Sequence, residues 1–336
     1  MPRPQEPDRM VGESPAFLLA LEAVSQVAPL EKPVLVVGER GTGKELVAAR
    51  LHYLSNRWDS EFLKLNCAAI SDSLIESELF GHEAGSFTGA TRAHQGRFER
   101  ADGGTLFLDE VATTSGLVQE KLLRVIEYGE FERVGGRKTQ RVNVRLVAAT
   151  NEDLPRLAAE GGFRMDLLDR LAFDVITLPP LRERAEDIPL LAEYFAINMA
   201  SELGRDYFPG FTPAAETALE NHRWPGNLRE LKNVVERAVY RTPEGEPVNG
   251  IVIDPFQSPF RPLPEVDSKA QPSDGLELPL NLKETIRDVE IDLVNKAMTA
   301  SQFNQRKAAA ALGLTYDQFR GYLKKYDLPT PSSKRG

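Results

Sequence analysis

The sequence predicts an α/β fold with a parallel sheet flanked by helices, followed by a small all-α domain. The run 34–37 (VLVV) precedes a glycine-rich turn and a helical pattern. A second run, 105–110 (TLFLDE), ends in two acids, and a third, 144–151 (VRLVAATN), ends in asparagine. Strands that alternate with helices favour a parallel sheet covered on both faces.

Length and composition narrow the class of protein. A chain of 336 residues predicts two or three domains, and its 41% apolar and 27% charged residues fit a globular protein with a real core. No apolar run approaches the ~18 residues that span a membrane, and the N-terminus has no signal-peptide pattern. A single cysteine, Cys67, excludes a disulfide framework and favours a reducing compartment. We therefore expect a cytoplasmic protein without membrane insertion.

Composition along the chain predicts four segments. The expected segments are an α/β domain over 1–178, a helical subdomain over 179–240, a linker over 241–282 and a terminal domain over 283–336. The linker holds eight prolines, which favours an extended connector. The overall net charge is -9, but the segment 301–336 carries seven basic residues against two acids. A basic module on an acidic body indicates local contact with a polyanion, although a solvated tail has the same composition.

A phosphate-binding motif follows the first strand. Residues 38–44 (GERGTGK) have the P-loop spacing, in which glycines let backbone N–H groups face phosphate oxygens and a lysine neutralises them. The following helix adds its positive N-terminal end. Glu45 stands where Ser or Thr usually reaches magnesium. The residues predicted to bind ATP are Gly38, Glu39, Arg40, Gly41, Thr42, Gly43, Lys44 and Glu45.

Two acids at the end of the second strand complete the predicted site. Ligands of open α/β sheets bind at the carboxyl edge, where Asp109 and Glu110 are delivered. We expect Asp109 to hold Mg²⁺, directly or through water. We expect Glu110 to polarise the attacking water as a general base.

The segment 81–110 contains a motif that points to one specific protein family. It contains GSFTGA at 85–90 and resembles the AAA+ activators of sigma-54 RNA polymerase, the bacterial enhancer-binding proteins, whose signature loop reads GAFTGA. The resemblance implies an ATPase ring in which this loop projects from the pore and touches the sigma factor. The implied sigma-54 contacts are Gly85, Ser86, Phe87, Thr88, Gly89 and Ala90. From the residues alone, without the family resemblance, a buried turn is the preferred interpretation.

The same resemblance assigns roles to further residues. Asn66 matches an asparagine that pairs with the catalytic glutamate, here Glu110, and Asn151 matches the sensor near the γ-phosphate. Arg164 and Arg170 match arginines that reach into the neighbouring subunit of a homo-hexamer. Arg229 matches a second sensor on the helical lid. The resemblance also makes Glu45 normal after the P-loop lysine.

Two short segments resemble sequences of one group within the family, the phage shock activators. The segments are YLSNRW (53–58) and IVIDPF (251–256). The ATPase pattern begins near the N-terminus, so a receiver or sensing domain is not expected before it. The resemblance implies an inhibitory partner of the phage shock protein A type. Trp58 lies in a polar stretch and is a candidate anchor for that partner, although a half-buried structural tryptophan is the ordinary alternative.

The chain ends in a predicted helix-turn-helix over 304–328, with a glycine bend at Gly313. It resembles the Fis-type domain of the same activators. Thr315 can cap the second helix, whose early residues face base edges if it enters the major groove. The predicted DNA contacts are Thr315, Tyr316, Asp317, Arg320, Lys324 and Lys325. The helix at 282–300 is expected to support dimer packing.

Three functions follow from these patterns. The first is an ATPase that binds enhancer DNA and remodels the closed sigma-54 polymerase complex to an open one. The alternatives are an AAA+ remodeller of another partner and a DNA-binding regulator that uses ATP only for assembly. Glu110 and the two arginines disfavour simple binding, and the GSFTGA loop disfavours other remodellers.

Overall fold

The computed structural model describes residues 10–87, 89–256, 282–301 and 304–326. The chain divides into two compact units, 1–257 and 258–336, which are considered separately. No helix in the described ranges is long and apolar enough to cross a membrane.

The first unit is built on a five-stranded parallel sheet of order β2-β3-β6-β1-β7, with a separate antiparallel hairpin, β4-β5. The strands are β1 (Val34–Val37), β2 (Phe62–Asn66), β3 (Thr105–Asp109), β4 (Glu130–Glu132), β5 (Thr139–Arg141), β6 (Arg145–Thr150) and β7 (Asp174–Thr177). The predicted parallel sheet is therefore confirmed, and its three predicted strands β1, β3 and β6 occupy the central positions.

Helices cover both faces of this sheet. They are α1 (Pro15–Val27), α2 (Lys44–Tyr53), α3 (Asp72–Phe80), α4 (Arg97–Arg100), α5 (Gly116–Tyr128), α6 (Leu154–Ala159) and α7 (Met165–Leu171). Side chains alternate between the two faces of a strand. In β6, Leu146 and Ala148 join one hydrophobic core, while Val147 and Ala149 join the other. This double burial explains why the central strands have continuous apolar sequences.

A helical subdomain completes the first unit. It contains α8 (Ile188–Glu202), α9 (Pro213–Asn221) and α10 (Asn227–Arg241), reached through a 3₁₀ turn at Leu181–Asp187. Its core surrounds Trp224, which is fully buried and donates from Nε1 to the Leu219 carbonyl oxygen over 2.9 Å. Val248 also packs in this core, so the proline-rich segment expected from 241 starts against the helices. Residues 257–281 of that segment lie outside the described residues.

The second unit contains α11 (Leu282–Ala300), α12 (Gln305–Ala311) and α13 (Tyr316–Lys325). Ala308, Ala309 and Phe319 are buried between them, with Leu312 packed alongside. Gly313 adopts the left-handed conformation at the bend, with φ of 66°. Thr315 caps α13 in a reciprocal capping box with Gln318. The predicted bend and cap are thus confirmed.

Candidate active site and partner surfaces

The P-loop connects β1 to the N-terminus of α2. Gly41 and Gly43 take φ of 79° and 97°, which side chains disfavour. Lys44 is buried, and its Nζ donates to the Gly38 carbonyl oxygen over 2.9 Å. Burial lowers the pKa of Lys44, whereas the Glu110 and Asp109 carboxylates act in the opposite direction. The loop thus holds the buried Lys44 ammonium group against the carbonyl oxygen of its first glycine.

The lysine faces a cluster at the carboxyl edge of the sheet. The register of β2 and β3 pairs Asn66 with Asp109, and Asn66 Nδ2 donates to Asp109 Oδ2 over 3.2 Å. The Glu110 backbone N–H donates to Asp109 Oδ1 over 3.0 Å. The expected pairing of Asn66 with Glu110 is therefore corrected: Asn66 bonds Asp109, because strand register places them side by side.

Glu110 has a strained backbone, with φ of 52° in the left-handed region. Such a conformation costs about 1–3 kcal/mol and concentrates at functional sites. The Asn151 amide, just after β6, lies against the Glu110 carboxylate. With its nitrogen turned towards Glu110, it donates to Oε1 over 3.0 Å. Glu110, the expected general base, is thus hydrogen-bonded by Asn151, the predicted sensor of the γ-phosphate.

The residues present fit a magnesium ion. Asp109 ends β3 with a partly exposed carboxylate beside Lys44, and hard carboxylate oxygens suit Mg²⁺. Among the described side chains, no three His, Cys, Asp or Glu converge on a metal position. Magnesium characteristically uses one or two carboxylates and completes its shell with phosphates and water.

The three predicted arginines divide between two places. Arg229, on α10, lines the same cleft as Lys44, Asp109 and Asn66. Arg164 and Arg170 lie on α7 and its N-cap, outside that cleft, and bond Asp166 over 2.7 Å and Glu127 over 2.8 Å. Both are exposed, which leaves them accessible to a second chain.

The GSFTGA loop is a short projection with an exposed apolar tip. Gly85 and Gly89 have φ of 80° and 105°, and Gly85 N–H donates to the Ala90 carbonyl oxygen over 2.7 Å. Phe87 is 42% exposed and meets the His82 ring edge-on at 5.0 Å. Thr88 lies outside the described residues. The exposure of Phe87 disfavours the alternative of a buried turn.

The hairpin β4-β5 supports the base of that loop. Arg133 forms a bidentate pair with Glu99, at 2.7 and 2.6 Å, and also bonds Glu83 over 3.1 Å. A Cβ at Gly135 would lie 2.6 Å from Ser86 Cβ, so the hairpin touches the loop itself. Sequence reasoning missed Arg133, because its partners are 34 and 50 residues away.

Trp58 is displayed on a rigid support. Its side chain is 63% exposed, and Tyr53 and Leu54 nearby are also exposed. The preceding residue, Arg57, bonds the Gly104 and Asn143 carbonyl oxygens over 2.9 and 2.7 Å and pairs with Glu31. A half-buried structural role for Trp58 is therefore wrong.

The predicted DNA-contacting helix presents a mixed surface. Arg306 and Arg320 lie over the Tyr316 ring, at 5.7 and 6.0 Å from its centroid. Thr315, Asp317 and Lys324 are exposed. Lys325 differs from the expectation of a free phosphate contact, since its Nζ pairs with Glu290 of α11 over 3.0 Å.

Comparison with known proteins decides the family. Residues 10–177 match the sigma-54 interaction domain, 182–250 the AAA+ ATPase lid domain, and 285–326 the Fis family of bacterial regulatory proteins. The chain is similar to the Psp operon transcriptional activator of Escherichia coli (strain K12), with 59% identity over 322 residues that cover 96% of this chain and 98% of the relative. The chain belongs to the sigma-54 activator family.

Other members extend the comparison. This sigma-54 activator is 46% identical to the Nif-specific regulatory protein of Azotobacter vinelandii, covering 91% of this chain and 56% of that protein. It is also similar to NtrX from Brucella abortus in complex with ATP, at 33% identity and a TM-score of 0.67, over 95% of this chain and 70% of that one. The sigma-54 activator is therefore an AAA+ ATPase that binds nucleotide and carries a Fis-type helix-turn-helix, and its partners are sigma-54 and DNA.

Proposed function

We propose that this protein binds enhancer DNA and uses ATP hydrolysis in a homo-hexameric ring to convert the closed sigma-54 polymerase complex to an open one in the cytoplasm. The similarity to the Psp operon activator supports a phage shock operon as its target. The carrying observation is that one domain holds both the Lys44–Glu110 site and a projecting loop with exposed Phe87.

Hydrolysis follows from the arrangement of the cleft. The P-loop N–H groups and Lys44 bind the phosphates. Asp109 would hold Mg²⁺, which would supply positive charge that screens the phosphates. Glu110 takes a proton from the attacking water, while Asn151 orients the Glu110 carboxylate. Asn66 holds Asp109 through its amide.

Arg164 and Arg170 act in the adjacent subunit. Both are exposed and lie outside their own cleft, and a planar guanidinium stabilises charge that spreads over phosphoryl oxygens in the transition state. Arg229 contributes from the lid of the same chain. An isolated protomer therefore has little activity, and assembly switches hydrolysis on.

Coupling to the sigma factor runs through the loop base. Gly85 and Gly89 provide the flexible stem, and Gly85 to Gly89, including Thr88, form the contact with sigma-54. The predicted contact Ala90 is instead buried and closes the loop through its carbonyl oxygen. The support from Arg133, Glu99 and Glu83 connects this stem to the helices beside the sheet. Movement of those helices is thereby passed to the exposed tip.

DNA recognition belongs to α13. Thr315 sets its start, Tyr316, Asp317 and Arg320 face the bases, and Lys324 meets a phosphate. Lys325 contributes its charge after it separates from Glu290. Apolar side chains on α11 are exposed at helical spacing, namely Ile286, Val289 and Leu293, which supports dimer packing and paired half-sites.

The Trp58 face receives the inhibitory partner of the phage shock protein A type. An exposed aromatic on a firmly bonded support suits an anchor, because a large apolar ring is buried on binding. The fixed contacts of Arg57 supply that support.

Glu110→Gln tests the function. We expect hydrolysis to fall about 10²–10⁴-fold with the loss of the base, while ATP binding persists and promoter opening stops. Glu160→Gln, a remote exposed carboxylate on the same unit, is the control. Promoter opening by Glu110→Gln would favour a DNA-binding regulator that uses ATP only for assembly.

A further inference from the structure

The turn that opens α10 is strained at two residues. Trp224 and Asn227 take φ of 52° and 50° on either side of Pro225 and Gly226. Residues with a Cβ disfavour this region, and asparagine is among the few that tolerate it. Such strain persists where surrounding contacts hold it. The contacts of Asn227 therefore indicate what the turn does.

Asn227 is fully buried, and its side chain joins three parts of the first unit. Its Nδ2 donates to the Arg40 carbonyl oxygen over 3.0 Å and to Glu39 Oε2 over 3.2 Å. Its Oδ1 accepts a 2.7 Å hydrogen bond from the Leu181 backbone N–H. One amide thus bonds the P-loop, the entry to the lid and the start of α10.

Neighbouring contacts reinforce this junction. Arg182 forms a bidentate pair with Glu39, at 2.9 and 2.6 Å. The Leu228 N–H donates to the Gly41 carbonyl oxygen over 2.9 Å. A Cβ at Gly41 would lie only 2.4 Å from the Gly226 carbonyl oxygen. We name Glu39, Arg182 and Asn227 the lid latch.

The members of the lid latch contribute unequally. The Arg182–Glu39 pair is more than two-fifths exposed on each side, and exposed ion pairs stabilise little. Asn227 is buried, so removing its donors eliminates its hydrogen bonds to Arg40 and Glu39. Asn227 is therefore the member on which the junction depends most.

Arg229 follows Asn227 by two residues and lines the cleft that contains Lys44. The start of α10 fixes where this side chain emerges. We propose that Asn227, with Glu39 and Arg182, is a positioning residue for ATP hydrolysis, which holds the lid on the P-loop so that Arg229 faces the bound phosphates. The inference rests on the proposed role of Arg229. Because Glu39 and Arg40 belong to the phosphate-binding loop, they link nucleotide binding to lid position.

A reciprocal exchange of hydrogen-bonding groups tests the lid latch in the full chain. Asn227→Asp keeps the size and the acceptor for Leu181, but removes both donors and faces Glu39 with a like charge. We expect hydrolysis at saturating ATP to fall about 10- to 100-fold, the loss typical of a misplaced catalytic group. Adding Glu39→Gln restores a donor and removes the repulsion, so the double variant recovers part of the activity that Asn227→Asp loses. A general packing defect would not show this rescue.

Combination with Arg229→Ala tests the positioning step. If the lid latch acts through Arg229, Asn227→Asp adds no further loss in the Arg229→Ala background. Asn221→Asp, an exposed amide at the end of α9 with the same chemical change, keeps wild-type hydrolysis. Thermal unfolding confirms that each variant is folded.

The outcomes separate the two claims. Wild-type hydrolysis by Asn227→Asp, absence of rescue by Glu39→Gln, or additive losses with Arg229→Ala would each overturn the lid latch. If Arg229→Ala alone hydrolyses ATP normally, the proposed role of Arg229 is wrong. The claim that Asn227 positions Arg229 for hydrolysis is then wrong as well. Rescue by Glu39→Gln then still decides whether Asn227 acts through the P-loop.

Discussion

At the residue scale, Cys67 shows how the site controls reactivity. It is 1% exposed beneath the carboxyl edge, and burial, then the Asp109 and Glu110 charges, raise the pKa of its thiol to about 12. Only the thiolate is nucleophilic. We expect native protein at pH 8 to resist a thiol reagent that labels it rapidly after denaturation. Fast labelling of the native state would contradict this environment.

His52 gives a pH dependence of stability. Its ring is buried, bonds Thr105 through Nδ1 over 3.0 Å and stacks on Phe62. Burial, and secondarily Arg145, lower the pKa of His52. The unfolded histidine takes up a proton near pH 6.5 while the folded one stays neutral, so the free energy of unfolding falls as pH drops below that value.

Chemical unfolding from pH 7.5 to 5.5 measures this dependence. We expect a shallower fall in the free energy of unfolding for His52→Gln than for wild type. The slope against pH is the readout, since the substitution also changes packing. Parallel curves would show that His52 does not titrate in this range.

At the element scale, the burial of a strand decides whether the sequence predicts it. The strands β1, β3 and β6 are covered on both faces and therefore appear as apolar runs. The edge strands β2 and β7 carry exposed polar residues, such as Lys64 and Asp174, and have no such signal.

Contacts between residues far apart in the chain cannot be predicted from local sequence patterns. Motif spacing predicts the P-loop, and a separate motif predicts the two acids at the end of β3. Each motif can be found because its own residues are adjacent in the chain. Asn227 and Glu39 are 188 residues apart, and no local pattern relates them. The hydrogen-bond partner of Asn66 is not predictable from local sequence either, since the register of β2 and β3 places it beside Asp109.

The capping box of α13 provides a test of an element. Thr315 Oγ1 accepts from the Gln318 N–H over 3.3 Å, and Gln318 Oε1 accepts from the Thr315 N–H over 3.0 Å. Thr315→Ala removes one cap and should destabilise the second unit by about 1 kcal/mol. Thermal unfolding of the full chain, followed by a probe in this unit, measures the shift. An unchanged transition would mean that α13 does not depend on this cap.

At the scale of the whole molecule, the proposed action of Arg164 and Arg170 in a neighbouring subunit predicts that ATP hydrolysis depends on assembly. Lys44→Ala and Arg170→Ala should each abolish hydrolysis when measured alone. A mixture of the two recovers part of it, because some interfaces then combine an intact P-loop with an intact arginine. The control is a mixture of two separate preparations of Lys44→Ala, in which no interface has an intact P-loop. A mixture as inactive as its components would place Arg170 in its own subunit's site.

Division into two units predicts separable activities. Removing 283–336 should abolish site-specific enhancer binding, because α13 is lost, while the first unit retains its own cores and hydrolyses ATP. Footprinting and phosphate release measure the two properties in parallel. Site-specific protection by the truncated protein would place the DNA-binding surface elsewhere.

Open-complex formation on a sigma-54 promoter shows whether the loop couples ATP hydrolysis to the sigma factor. The comparison is between wild type and Thr88→Ala at saturating ATP, with phosphate release followed in the same reactions. We expect both proteins to hydrolyse ATP and only the wild type to open the promoter. Promoter opening by Thr88→Ala would contradict coupling through the loop, and failure of both proteins to open it despite hydrolysis would point to a remodeller of another partner.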